Sequence, residues 1–254
     1  MACRKTGQPT NSSRSKTFMP RLEILGLPLD PVDMDGAVAT IGGFLNQEKT
    51  RQVITLNPEI AVRAQQDGAL ANAIREADLV TADGVGIVWA ARRLCGRELK
   101  ERVTGVDLTL ELLRRYGPKL RVYLLGARPG VAERAAERIH ALFGTRIAGT
   151  QHGFFENESD VLAGIRAKQP DLLLVGMGEK QDLFIHRNKA NLGAKVAIGV
   201  GGTIDVLAGE VQRIPAWAQK LKIEWFLRVG LDPKRWKRIP RLLEFIRLVL
   251  RARS

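Results

Sequence analysis

Short, continuous apolar runs alternate with longer stretches of helical periodicity along most of this chain. The runs 22–25, 53–55, 79–81, 122–125, 172–175 and 196–200 predict strands, and the patterns at 33–47, 58–75, 84–95, 106–116, 130–143, 159–168 and 181–192 predict helices between them. Strands that are apolar throughout, rather than alternating, are buried on both faces, and a helix between successive strands supplies the crossover that a parallel sheet requires. The predicted fold class is therefore α/β, a Rossmann-like parallel sheet with helices on both faces. Such sheets bind ligands beyond the carboxyl ends of their strands, so the loops that lead into helices carry the candidate chemistry.

The second predicted strand runs into Thr55-Leu56-Asn57-Pro58-Glu59. Asn57 suits a helix N-cap, Pro58 the first helical position and Glu59 the positive end of the helix dipole; the same amide is equally suited to a sugar or a nucleobase. Thr55 is a hydroxyl at a strand end. The third strand runs into Asp83-Gly84-Val85-Gly86. There Asp83 reads either as an N-cap or as a general base flanked by small residues that let a substrate approach. Three glycine-rich turns follow later strands, at 126–130, 176–178 and 199–203, and each can offer backbone amides to an anion at a helix start. None is a P-loop or a full dinucleotide fingerprint. Asp33-Met34-Asp35 has the form of a divalent-ion triplet, but it opens a helix, where acidic residues complement the dipole. His140, His152 and His186 have no metal-ligand spacing, and the two cysteines provide no ligand cluster.

Charge changes the picture at the end of the chain. The formal net charge is +13, and from Arg213 to Ser254 twelve Lys and Arg stand against three acidic residues, with Trp217, Trp225 and Trp236 interspersed. Such a stretch suits an anionic, amphipathic partner: a lipid headgroup layer, a diphosphate-bearing substrate or nucleic acid. On a helix, Leu242, Leu243, Phe245, Ile246, Val249 and Leu250 share one broad face with Arg241, Glu244, Arg247 and Arg251 opposite; this pattern fits either a helix lying in the headgroups or one packed on the domain. No run reaches the length of a membrane span. The expected organisation is a disordered basic leader at 1–20, an α/β catalytic domain at 21–209 and a basic, helical, membrane-binding appendage at 210–254.

Taken together, several blocks resemble the WecG/TagA/CpsF glycosyltransferase family, also called glycosyltransferase family 26. They are Thr55 to Glu59, Ala77 to Val80 with Asp83 to Gly86, Glu101 to Leu108, Gly149 to Phe155, Lys180-Gln181, Gly199 to Gly209, Gln212 to Pro215, Ile223 to Trp225 and Asp232 to Arg235. The resemblance spans roughly residues 21–240. It implies an inverting, metal-independent enzyme without cofactor. Such an enzyme moves a sugar, N-acetylmannosamine-type or another hexose, from a UDP-sugar donor to a polyprenyl-diphosphate-linked sugar acceptor in cell-surface polysaccharide biosynthesis. The place of action implied is the cytoplasm, peripheral on the inner face of an anionic cell membrane. Residue by residue, it makes Asp83 the base that deprotonates the acceptor hydroxyl, and it places Thr55, Asn57 and Gln181 along the sugar and nucleotide pocket. Arg228, Arg235 and Arg238 then stabilise the diphosphate leaving group, a role for which guanidinium forks need no metal ion. The chain departs from the family pattern around Gln181, where the usual preceding proline is absent, and at Thr203-Ile204 before Asp205.

Two other classes compete. A nucleic-acid-binding α/β protein accounts for the basic tail, but no helix-turn-helix or RNA-binding signature is present. A dinucleotide-dependent enzyme accounts for the glycine turns but lacks the fingerprint after the first strand. The reading favoured is the glycosyltransferase, with no nucleic-acid partner and with a homo-oligomer that hides the tail compatible with the composition.

Overall fold

The computed structural model describes residues 20–210 and 239–252. Six strands form one sheet in the order β4-β3-β8-β7-β5-β6: β3 (Arg51–Leu56), β4 (Leu79–Ala82), β5 (Arg121–Gly126), β6 (Arg146–Gln151), β7 (Leu172–Gly176) and β8 (Val196–Gly199). All neighbours in it are parallel. The first predicted strand lies outside this sheet. Leu22–Ile24 (β1) pairs antiparallel with Leu27–Leu29 (β2), turning through Leu25 and Gly26 at φ 53° and 78°. Asp30 fixes this hairpin to the outer edge of β4, because its carboxylate accepts the Val80 amide at 2.8 Å and the Arg21 guanidinium at 2.9 Å.

Residues alternate between the two faces of the sheet. Val53, Leu79, Val122, Leu124, Leu172, Leu174, Val196 and Ile198 pack under α1 (Met34–Phe44), α5 (Gly105–Tyr116), α6 (Val131–Phe143) and α9 (Thr203–Ala208). On the other face Ile54, Leu56, Val80 and Ala82 pack under α2 (Pro58–Ala64), α3 (Gly68–Arg75) and α4 (Val85–Cys95). Further along that face, Tyr123, Leu125, Leu173, Val175 and Ala197 meet α7 (Glu158–Lys168) and α8 (Gln181–Asn188). Coverage of both faces is what continuous apolar strands require. The helical pattern at 58–75 is two helices, because Asp67 takes an extended conformation and caps the second by accepting the Leu70 amide at 3.0 Å.

The last described helix, α10 (Ile239–Arg251), packs on α2 and α4 and buries Phe245 and Val249 completely. Packing on the domain takes that part of its apolar face, while Leu243, Ile246 and Leu250 point outward. Arg241 ion-pairs with Glu179, in the 3-10 turn that precedes α8.

Candidate functional site

The carboxyl ends of β3, β4, β8 and β7 bring Thr55 and Asn57, Asp83, the Gly199–Thr203 turn and the approach to Gln181 to one edge of the sheet. Close backbone approach builds this edge. A methyl group on Gly126, at φ 135°, would overlap the Gly176 carbonyl, and one on Gly176 would stand 2.7 Å from the Gly201 carbonyl oxygen. Only glycine fits these two positions.

Asp83 leaves β4 with its amide donating to the Leu56 carbonyl at 2.8 Å. Its Oδ2 accepts the Gly105 amide, the first residue of α5, at 3.2 Å. The structure thus makes Asp83 a partner of the α5 N-terminus and not the N-cap residue of α4. The N-cap of α4 is Gly84, at φ 94°, and α4 has neither a side-chain cap nor an acidic residue in its first turn. Gly84 turns the chain so that the half-buried Asp83 side chain is directed across to α5 instead of onto its own helix.

Thr55 is buried at the end of β3, and its hydroxyl donates to the Gly199 carbonyl at 3.4 Å. A methyl group on Gly105 would stand 3.4 Å from Thr55 Oγ1 and 3.8 Å from Thr203 Oγ1. Gly105 thus bonds the Asp83 carboxylate and leaves room for no more than a methyl group between itself and the Thr55 hydroxyl, so the two predicted residues lie near one another. Asn57 is the N-cap of α2, with its Oδ1 accepting the Ile60 amide at 3.0 Å. The cap uses the carbonyl end of that side chain and leaves the NH2 end for a ligand.

Gln181 opens α8 and is 5% exposed; its Oε1 accepts the Gly201 amide at 2.9 Å. In the same turn the Val200 amide donates to Val175 and the Thr203 amide to Val200. The 199–203 turn accordingly spends three of its amides on the protein itself, which changes the expectation of an open anion cradle there. Beside Gln181 lies Asp182, which is 2% exposed. Burial raises its carboxyl pKa to about 7, with the charge of Arg63 opposing the rise. Sequence reasoning passed over Asp182 because an acidic residue in a first turn reads as a solvated dipole partner. Gly105 was passed over because its contribution is a backbone amide.

Asp33 caps α1 through the Gly36 amide at 2.9 Å and holds Lys100 at 2.6 Å, and Asp35 pairs with Arg115. The triplet is committed to capping and ion pairs. Among the described residues no group of three or more His, Cys, Asp and Glu is placed to hold a metal ion. A cavity of about 270 Å³, lined by Tyr123, Gln151, Phe155 and Asn157, opens beside β6, at the far edge of the sheet from Asp83. Arg228, Arg235 and Arg238 lie outside the described residues.

The profile of the Glycosyl transferase WecG/TagA/CpsF family matches residues 22–254. An N-acetylglucosaminyldiphosphoundecaprenol N-acetyl-beta-D-mannosaminyltransferase of Bacillus spizizenii is 33% identical over 211 residues, 82% of each chain. The protein of the same name from Bacillus subtilis is 32% identical over 211 residues, again 82% of each chain. That from Staphylococcus aureus is 34% identical over 238 residues, 92% of this chain and 91% of its own. With the family profile running from residue 22 to 254 and relatives above 30% identity matched over most of both chains, the chain belongs to the WecG/TagA/CpsF family and is a glycosyltransferase.

Proposed function

We propose that this enzyme transfers a sugar, of the N-acetylmannosamine type, from a UDP-sugar to a sugar carried on a polyprenyl diphosphate, with inversion at the anomeric carbon and without a metal ion. The names of its relatives support the acceptor class and the sugar. The observation that carries the mechanism is the arrangement of Asp83. Its carboxylate lies at a strand end, with Oδ2 held by the Gly105 amide, and a methyl group on that glycine would reach the Thr55 hydroxyl. Asp83 takes the proton from the acceptor hydroxyl as the oxygen attacks the anomeric carbon. The bond from that carbon to the diphosphate breaks as the new one forms, so negative charge collects on the departing UDP.

Thr55, the NH2 group of Asn57 and Gln181 line the donor pocket in this reading. Arg228, Arg235 and Arg238 neutralise the leaving group, which planar, permanently charged guanidinium groups do without a cation. The enzyme works peripherally on the inner face of an anionic membrane, where a lipid-borne acceptor is presented. Among the described residues no helix is long and apolar enough to cross a membrane. Outward-facing Leu243, Ile246 and Leu250 on α10 and Val85 and Trp89 on the adjoining α4 supply apolar surface, and Arg247 and Arg251 supply positive charge.

The test is UDP release from a panel of UDP-sugars with and without a short-chain lipid-diphosphate N-acetylglucosamine acceptor, in EDTA throughout. Acceptor-dependent release from one donor is the expected result. Folded protein that releases no UDP from any donor, or does so only after divalent ions are restored, refutes the reading.

A further inference from the structure

The first turn of α8 carries a buried side chain that the proposed chemistry does not use. Asp182 Oδ1 is buried without a hydrogen-bond partner among the described residues. It is directed at Gly199: a methyl group there would overlap Asp182 Oδ1 and would stand 2.8 Å from Gln181 Nε2. Gly199 is central to this edge of the sheet. It pairs with Ile54 of β3 and Val175 of β7, its carbonyl accepts the Thr55 hydroxyl at 3.4 Å, and two residues later the Gly201 amide binds Gln181 Oε1 at 2.9 Å. Thr55 and Gln181 are thus both located by the Gly199–Gly201 backbone, and the Asp182 carboxyl is wedged beneath it. From β3 the buried Gln52 donates its Nε2 to the Asp182 main-chain carbonyl at 2.9 Å, which anchors the helix end that holds the wedge.

We propose that Asp182 is a positioning residue for the donor pocket: its buried carboxyl seats Gly199 and the Gln181 side chain, and so sets the geometry of the Gln181–Gly201 bond. The proposal rests on the reading of Gln181 as a donor-pocket residue. A carboxyl does this work best when neutral, because a charged one in a site without a bonded cation draws water or rearranges. The surroundings hold it in that state. Arg63 of α2 is the cation whose charge reaches it, but Arg63 is bonded to the Glu179 carbonyl at 3.0 Å and lies 3.6 Å from its carboxylate. On α8 itself, His186 stands 4.0 Å from Glu76, at the end of α3, and just beyond the helix Lys189 is bound to Asp78 at 2.6 Å. β3 presents the uncharged Gln52, and β8 presents Gly199. Burial puts the midpoint of proton loss at about pH 7. Above it, the seat of Gln181 loosens and donor binding weakens.

Two readouts test this, one independent of activity. Protection of the Gly201 amide against hydrogen exchange, corrected for the intrinsic pH dependence of exchange, reports the Gln181–Gly201 bond directly. The donor KM reports its use. In the wild-type protein, protection should fall and donor KM should rise about tenfold for each pH unit above about 7, the dependence expected when only the protonated form is competent. In Asp182→Asn, which keeps the shape and has no proton to lose, both should be flat over the same range. Wild-type Gly201 protection that stays constant from about pH 6 to about pH 8.5 overturns the proposal whatever the variant does. So does a pH profile of donor KM in Asp182→Asn that superimposes on the wild type. Gln181→Ala separates the underlying assumption: an unchanged donor KM in that variant removes Gln181 from the pocket, while the Gly201 protection profile still decides the role of Asp182.

Discussion

Replacing Asp182 by asparagine should change how the stability of the fold depends on pH. The carboxyl has a pKa of about 7 in the folded protein and an ordinary value of 3.8 when exposed. Between these values the folded state keeps a proton that the unfolded state releases, so the protein gives up stability as pH rises. The contribution is fully present below about pH 4, declines by about 1.4 kcal/mol per pH unit, and is gone above about pH 7. A separation of about three units makes the total about 4 kcal/mol, a large share of a typical domain's stability. Asparagine does not titrate, and every other group is common to both proteins. The stability of Asp182→Asn minus that of the wild type should therefore rise by about 3 kcal/mol from about pH 4.5 to about pH 8, the remainder of the total lying below that range. Urea unfolding at a series of pH values measures it, with equal m-values as the check that both proteins unfold in the same two-state manner. A difference that is independent of pH would refute the reasoning, because it would mean that the carboxyl is already ionised, and stabilised, in the folded state.

Asp83→Asn keeps an oxygen for the Gly105 amide, so the melting temperature should hold while acceptor-dependent UDP release falls by about 10²- to 10⁴-fold; near-normal release would reduce Asp83 to a brace for α5. Gly199→Ala forces a methyl group against Asp182 and Gln181, and should cost about 1–3 kcal/mol in urea unfolding, with a raised donor KM. A midpoint equal to the wild type would show that the wedge yields freely. Phe245→Ala removes the fully buried ring between α10 and the start of α4, a loss of about 3–5 kcal/mol. It should appear as faster hydrogen exchange in α10 before the sheet is affected, and unchanged exchange there would contradict the docking.

The sheet was legible because burial on both faces leaves unbroken apolar runs, as in Leu172–Val175, and helices with strong caps declare their starts, as at Asn57. The strand β6 left no such trace. Its sequence, Arg146 to Gln151, contains Gly149 and Thr150 and buries no residue completely, as suits an edge strand with one neighbour. β2 and α9 escaped notice because three and six residues are too few to show a period. Asp83, Thr55, Asn57 and Gln181 are candidates reached through the blocks that surround them. What the sequence did not convey is that Asp83 bonds across to α5 while glycine begins α4, or that Asp182 is buried, since both depend on where distant strands finish.

The two attachments of segment 211–238 have a kinetic meaning. Where it begins, Glu210 is bound by Arg134 at 2.6 Å and by Arg128 at 3.5 Å, which fixes the chain to α6; where it finishes, α10 is seated on α2 and α4. On the proposed reading, Arg228, Arg235 and Arg238 act from a segment joined to the protein at both ends, and so at an effective concentration rather than a bulk one. A single cut at either attachment leaves the segment joined to the protein by the other, and only cuts at both turn that intramolecular encounter into a diffusional one. The same arginines offered on a separate peptide would have to be supplied at about that concentration to act as well.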